Sequence, residues 1–541
     1  MIKYILIGLL ISLNIAQAQF KPRNFYLSGE GKLNKTVSEN PSSNSISDII
    51  AIGDSVWIGT SLGVSLSTNG GNDWKNFNNT PAFGTESVSA IAYNKGVFWA
   101  STAHSTDQNG TSYPEGSGLR YTTDKGVSWT TIPEPVDLMS DSLVTYGINQ
   151  LRAVPVTVKI QNLIYDIAIT HTSDGKPVIW IATFAGGLRR SFDMGSTWQR
   201  VVIPPDYLNS IKPTDTLNFC LSPVGGKICS DNNLNYRVFS VISVNDSTVY
   251  VGTAGGINKT TNALDSFPSW VKYNHLNQDH PISGNFVVAL GYNNGRVWGA
   301  TWQAEGATES YAVSMTSDGG NNWDTFLEGE HAHNFGFTDD HAVIALTDDG
   351  AFGSLSNYGS SNYGSSWILP DKIVDGQSKL LLTTSVFYAA ASVADTIWLG
   401  STDGLAKLTK SFNASSLWQG TWKIYFASQK LATSGESYAY PNPFSPRQDV
   451  LKIKYSTGGN NSQVTIRIFD FGMNYVRTVI QNASRGNPVH VVDGSNSAPN
   501  GVIDTWDGKD ERGNIVPNGV YFYRIEVGSD NPIYGKILVL Q

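Results

Sequence analysis

The sequence predicts an all-β protein: a seven-bladed β-propeller followed by a small C-terminal β-sandwich. Three observations predict it. A strand–turn–strand–turn–Trp pattern recurs seven times along the chain. The composition is low in charge (15%) and high in glycine (53 residues) and aromatics (11%), a balance that suits many short strands joined by tight turns. After Phe426 the pattern stops, and a shorter series of alternating strands takes over. At 541 residues and 40% hydrophobic content, the chain can supply an ordinary core to two or three domains.

Residues 1–18 read as a signal peptide, with Lys3 at its charged start, an apolar run from Tyr4 to Ile15 and the small-residue cleavage site Ala16-Gln17-Ala18. Residues 19–44 are a lead-in. No cysteine stands at the junction to receive a lipid, and no later run of about 18 apolar residues gives the mature chain a transmembrane anchor. The expected location is secreted or on the outer-membrane surface, reached through the periplasm. A formal charge of -8 leaves no basic footprint for counterion release, so nucleic acid is not an expected partner.

The propeller is expected over residues 45–426. Its copies are VWIGTSLGVSLSTNGGNDW closing at Trp74, FWAST to GLRYTTDKGVSW at Trp129, IWIATFAGGLRRSFDMGSTW at Trp198, and VYVGTAGGINKTTNALDSFPSW at Trp270. VWGATW to YAVSMTSDGGNNW at Trp323, VIALTDDGAFGSLSNYGSSNYGSSW at Trp367, and IWLGSTDGLAKLTKSFNASSLWQGTW at Trp422 complete the set. A further strand-like run, such as Ile46 to Ile52, Val88 to Tyr93, Ile164 to Thr170 or Phe286 to Leu290, precedes each copy and makes four strands per unit. A repeat of this length with four strands is a propeller blade. One blade leaves both faces wet, so neighbours must stack radially on the recurring Trp and aliphatic residues.

Five copies carry a turn that resembles the Asp-box of sialidases and many other propellers. Thr122, Asp124, Gly126 and Trp129 match it, as do Ser191, Asp193, Gly195 and Trp198, and Thr316, Asp318, Gly320 and Trp323. Asn69 and Asn362 replace the acid in the copies closing at Trp74 and Trp367, and the copies closing at Trp270 and Trp422 lack the motif. A short acid or amide accepts bonds from turn amides while Gly takes backbone angles other residues resist, which makes the box a structural staple. The VYVGT and IWLGS strands also resemble two-component-regulator propeller repeats. Both likenesses specify fold better than activity.

Asp-boxes travel with sialidases, whose resemblance implies a clamp of three arginines, the first in an early-blade Arg-Ile-Pro-type motif. Ser45 to Phe77 contains no arginine, so the fork that would hold a substrate carboxylate is missing. The favoured function is therefore a non-catalytic module binding an extracellular glycan or protein. The alternative is a glycoside hydrolase, sialidase-like or of another paired-carboxylate type, acting on extracellular glycans. His331 and His333 in HAHNFGFTDDH, beside Asp339, Asp340 and His341, alternate onto one face of a strand and are the candidate ligand-binding residues. Cys220 and Cys229, in a Pro- and Asn-rich insertion of an exported chain, predict a local disulfide worth about 2 to 3 kcal/mol. A metal pair there lacks partner ligands nearby. No metal site and no cofactor are expected.

Residues 427–437 read as a linker and 438–541 as the second domain, with strands at Leu451 to Ser456, Val464 to Asp470 and Val520 to Val527. Tyr440-Pro441-Asn442-Pro443-Phe444, Trp506-Asp507-Gly508-Lys509-Asp510 before Gly513, and Pro517-Asn518-Gly519-Val520-Tyr521 resemble the immunoglobulin-like domain of flagellar hook-capping proteins. The final Gly535-Lys536-Ile537-Leu538-Val539 is similar to the end of type IX secretion C-terminal sorting domains. That resemblance implies a type IX-like export machinery as a partner. Asp493, Asp504, Asp507 and Asp510 read as turn acids, since the spacing lacks an EF-hand's glycine.

Overall fold

The computed structural model describes residues 38–223, 229–230, 232–304, 306–339, 341–354, 366–377, 382, 384–411, 416–427, 437–457, 460–486, 502–529 and 532–541. The signal peptide, Asn362, Asp340 and Asp493 lie outside them. The chain divides into two compact units, Met1–Asp371 with Ser385–Phe426, and Lys372–Thr384 with Ala427–Gln541. The second takes in Lys372–Thr384, a stretch that the repeat pattern had assigned to the propeller.

The first unit is a β-propeller. Seven antiparallel sheets follow one another, with first strands Ile46–Ile52, Ser87–Asn94, Ile164–His171, Val238–Ser243, Phe286–Asn293, Ala332–Phe337 and Phe387–Val393. These first strands neighbour each other in cyclic order, and the seventh lies against the first. We number the sheets as blades one to seven. Five of them have four strands, the fourth gains a fifth outer strand at Ser210–Ile211, and the sixth has three among the described residues, where Ile368 makes a single bridge to Gly353. Two insertions share a small sheet: Leu143–Tyr146 and Asn149–Ala153, from the one after blade two, pair with Cys220–Leu221, from the one after blade three. Cys220 and Cys229 are joined there by a disulfide with Cα atoms 6.0 Å apart. Asp137 ties the insertion after blade two to blade three by an ion pair with Arg189 (2.8 Å) and by accepting from Arg200.

Each letter of the repeat has a physical task. The small residue before Thr or Ser lets the next blade approach: a Cβ on Gly59 would stand 2.8 Å from the Val88 side chain of blade two, and one on Gly400 would stand 2.6 Å from Ile46 of blade one. The hydroxyl that follows ties the next turn, as when Thr60 donates to the Gly63 carbonyl (2.8 Å), Thr183 to Gly187 (2.9 Å) and Ser401 to Gly404 (2.8 Å). Closing tryptophans fill the seam with the preceding blade. Trp74 sits edge-on to Trp398 and Tyr425 of blade seven, Trp129 packs among Trp57, Phe77 and Phe83 of blade one, and Trp367 meets Trp298 of blade five. Trp198, Trp270 and Trp323 join the clusters at the three seams between. In blade seven Trp418, not Trp422, takes this place, donating its indole N–H to the Ile368 carbonyl of blade six at 2.9 Å, while Trp422 stacks on it.

The boxes have the hydrogen bonds their residue types allow. In blade two the Thr122 hydroxyl accepts from the Gly126 amide (2.9 Å) and donates to Asp124 (2.7 Å), whose carboxylate accepts from the amides of Val127 and Ser128. Ser191 with Asp193 and Thr316 with Asp318 repeat this arrangement. Asn69 does the same work with its amide oxygen, accepting from Asn72 and Asp73 at 3.1 Å. Blade four, which shows no box in sequence, keeps half of one. Thr260 donates to Asn262, and Asn262 accepts from the Ser269 amide seven residues on, so an insertion has lengthened the turn and hidden the spacing.

A basic side chain crosses four of the seams to the turn of the following blade. Lys75 donates to the Gly126 carbonyl (2.8 Å), Lys259 to Gly319 (2.8 Å), and Lys407 to Gly70 (2.7 Å), while Arg190 donates to Ala263, Asp265 and Ser266. Each lies over an aromatic ring of its own blade: Phe77, Tyr250, Trp398 and Trp180 respectively. The Lys407 bond helps to join the last blade to the first.

The second unit pairs a sheet of Ser437–Tyr440, Leu451–Tyr455 and Val502–Trp506 with one of Ser462–Phe469, Tyr475–Arg485, Gly519–Val527 and Ile533–Val539. Both inner faces contribute to one core that includes Phe444, Ile453, Ile466, Trp506, Tyr523 and Ile537. The opening Tyr440-to-Phe444 motif attaches to the last strand: Asn442 accepts from the Leu538 amide (2.8 Å) and Phe444 donates to the Leu538 carbonyl (2.8 Å). Asp504 pairs with Arg485 (2.7 Å) and accepts from Tyr455 (2.6 Å), and Asp507 and Asp510 accept from turn amides.

Two tests follow from these contacts. Burial works against the Asp318 carboxylate, but bonds from Asn322, Thr316 and Asn321 outweigh it and hold the group down to about 2. Its contribution is thus present above the ordinary carboxylate value and is lost as pH falls through about 2. Asp318→Asn keeps the acceptor oxygen, as Asn69 does in blade one, but loses the charge, so it is expected to lower stability at pH 7 by less than Asp318→Ala, which should cost about 1 kcal/mol in urea unfolding. Lys407→Met keeps the aliphatic stem over Trp398 and removes the donor. It should lower stability by about 1 to 2 kcal/mol, and an unchanged urea midpoint would show that apolar contact alone closes the ring.

Candidate functional site

A cavity of about 450 Å³ lies on the propeller axis, lined by residues of the first strands. How those strands present side chains to it is set by one backbone feature. Every first strand shifts register by one residue against its second strand: between Ile46 and Asp48, Val88 and Ala90, Ile164 and Asp166, Val238 and Ser240, Val287 and Ala289, Ala332 and Asn334, and Phe387 and Ala389. A bulge leaves one residue unpaired and re-aims its side chain. The unpaired residues are Ser47, Ser89, Tyr165, Phe239, Val288, His333 and Tyr388, and all except Ser89 line the cavity.

The rings form an arc. From Tyr165 to Phe239 the centroids are 5.1 Å apart, from Phe239 to Phe286 4.7 Å, and from Phe286 to Trp302 5.8 Å. Trp302 stands 5.6 Å from His333, which stands 4.8 Å from Tyr388. The arc therefore passes from blade three to blade seven. On the remaining side blade one contributes Ser47 and Asp48.

In three blades the side chain of the residue after the bulge bonds the neighbouring blade. Asp48 accepts from the Ile49 amide (2.9 Å) and, in blade two, from Ile91 (3.3 Å). Asp166 accepts from Ile167 (2.8 Å) and, in blade four, from the Val241 amide (2.8 Å) and the Ser240 hydroxyl (3.0 Å). Ser240 in turn accepts from the Leu290 amide of blade five at 2.9 Å. Burial pushes the Asp166 carboxyl up to about 7, and neighbouring Asp48 adds to the rise against the pull of the Val241 and Ser240 donors. Sequence reading named neither acid, because each stands alone in its strand with no spacing to mark it.

The two candidate histidines meet at one carboxylate. His333 bonds Asp348 at 2.7 Å and His331 reaches its other oxygen at 3.3 Å, and the His333 bond leads in holding Asp348 below the usual carboxylate range. Only His333 lines the cavity. His331 precedes the strand and packs at a tilt against Tyr311, 4.0 Å between centroids. His341 turns away to bond Asn293 at 3.1 Å. Among the described residues no group of three or more His, Cys, Asp or Glu is arranged to hold a metal ion.

A second cavity, of about 430 Å³, opens at the seam of blades three and four beside Tyr146, Arg190, Phe192 and Arg200. Arg190 directs its guanidinium to three carbonyls of the blade-four turn, so this space belongs to the packing of the seam.

Fold and cavity together define a β-propeller protein with a side-chain-lined axial chamber. No protein-family model matches the chain, and no curated protein matches it. Among solved structures it is similar to PorZ, described as an essential surface component of the type-IX secretion system of Porphyromonas gingivalis, at 14% identity and a TM-score of 0.38 over 92% of this chain and 66% of that one. An ancestral GH74 enzyme aligns at 14% identity and a TM-score of 0.47 over 92% of this chain and 62% of that one. YCF48 from Cyanidioschyzon merolae aligns at 11% and 0.37 over 68% and 92%. This chain thus spans just under two thirds of the first two. The propeller assignment rests on the strand pairing and cyclic order described above. Among the described residues no helix is long and apolar enough to cross a membrane.

Asp166 gives this site a pH signature. The native state keeps a proton that the unfolded chain has released, so this group makes stability fall as pH rises from about 4 to about 7, with no further loss above. In Asp166→Asn the urea midpoint should vary less over that window than in the parent protein. Coincident profiles would remove the raised carboxyl from the account.

Proposed function

We propose that the chain is a secreted or cell-surface β-propeller, exported through a type IX-like system, that holds an extracellular glycan or protein ligand at its axial cavity without transforming it. In this reading residues 1–18 leave on export, 45–426 bind, and 438–541 act as the immunoglobulin-like sorting domain, to which the Tyr440-to-Phe444 opening and the Gly535-to-Val539 ending point.

The observation that carries the binding reading is the lining of the cavity. Ligand pockets combine apolar and aromatic walls with a few fixed polar groups, and here six bulge or strand positions present rings in one arc. The two acids beside them accept backbone amides from their own and the adjacent blades, a task that holds the chamber together. A glycoside hydrolase remains the second reading, favoured by one observation: Asp166 sits near 7 with Asp48 beside it, the value a general acid needs.

A glycan array and a panel of fluorogenic glycosides, both run on the full mature chain, separate the two. Binding without turnover is expected, weakened at least tenfold by Tyr165→Ala or Tyr388→Ala. Turnover that disappears in Asp166→Asn while binding persists would give the hydrolase reading the place of the first.

A further inference from the structure

We propose that the group this chamber receives is an arginine side chain of a protein or peptide partner. The inference rests on the binding reading above and names the ligand chemistry of the same cavity.

The charge of the lining is one-sided. Among the described lining residues the ionisable acids are Asp48 and Asp166, and there is no lysine or arginine. His333, the remaining ionisable nitrogen group there, is bonded to Asp348. An anionic ligand would meet the Asp48 carboxylate, the Asp166 carboxyl and no basic group, so phosphate, sulfate and uronic-acid ligands are disfavoured.

The rings set the shape of the cation. Aromatic faces attract cations through the quadrupole of the ring, and they do so best for weakly hydrated ones. Guanidinium is planar, stacks on such faces and sheds water more readily than an ammonium ion. The arc from Tyr165 through Phe239, Phe286 and Trp302 to Tyr388 places rings around most of the axis, and Asp48 of blade one stands on the open side. Asn94, Asn334 and Ser243 add polar lining for the N–H groups that a stacked guanidinium turns outward. A volume of about 450 Å³ accommodates a side chain and part of its backbone, not a folded domain. The partner therefore inserts a residue from a loop or terminus.

The test titrates the full mature protein with Nα-acetyl-arginine methylamide, following tryptophan fluorescence, with blocked citrulline as the neutral isostere and blocked lysine, choline and cellobiose alongside. Blocked arginine should bind at least tenfold more tightly than citrulline. Phe239→Leu and Asp48→Asn should each weaken it, with circular dichroism and urea midpoints reporting that both variants still fold. Equal binding of citrulline and arginine, or preference for choline, overturns the inference. Cellobiose binding that Tyr165→Ala abolishes, with no response to arginine, overturns it too but leaves the binding reading standing. Silence from every ligand sinks both.

Discussion

The contact on which the propeller depends is the seam between blades, where a tryptophan from one closing turn is set against the aromatic second strand of the blade before it. Trp74 against Trp398, Trp129 against Trp57, and Trp367 against Trp298 are instances. Each fully buried ring removes enough apolar surface from water to be worth about 1.5 to 3 kcal/mol, and no blade can obtain that alone. Hydrogen bonds then make the seam directional. Lysine or arginine donors aimed at turn carbonyls fix how one blade is turned on the next, which an apolar contact leaves loose.

The axis is governed by a different constraint. Seven first strands converge there, and each carries a bulge at the same level. Bulging frees one side chain per blade from the ladder, and in three blades its successor, Asp48, Asp166 or Ser240, bonds the neighbouring strand. Scaffold and chamber are thus the same residues in alternation. One keeps the strands in step, the other faces the ligand space.

The sequence made the periphery legible and left the axis obscure, for a physical reason. Turn chemistry and seam packing demand particular residue types, so Thr60, Gly59, Asp124 and Trp129 recur in recognisable form. The bulge positions demand only a backbone shape, and Ser47, Tyr165, Phe239, Val288, His333 and Tyr388 share no side-chain type that a repeat search could find. Strand alternation put His331 and His333 on one face, yet the bulge falls at His333; what gathers the two is Asp348 on the adjacent hairpin. Fixed spacing also hid the stretched turn of Thr260 and Asn262, and it selected Trp422 where Trp418 does the packing. In the second unit the Asn442 and Phe444 positions are intelligible once their bonds to Leu538 are seen.

Blade one runs from Ile46 to Asn76 and blade seven from Phe387 to Tyr425, each built from one uninterrupted stretch of chain. Among the described residues, no ladder hydrogen bond joins the two, and their seam is held by side chains such as Lys407, Trp74 and Trp398. The propeller is in this respect a split washer: covalent connectors span the other junctions, and side-chain contacts hold this one. Strain imposed on the ring, whether from an oversized guest on the axis or a pull on its ends, will collect at that gap first.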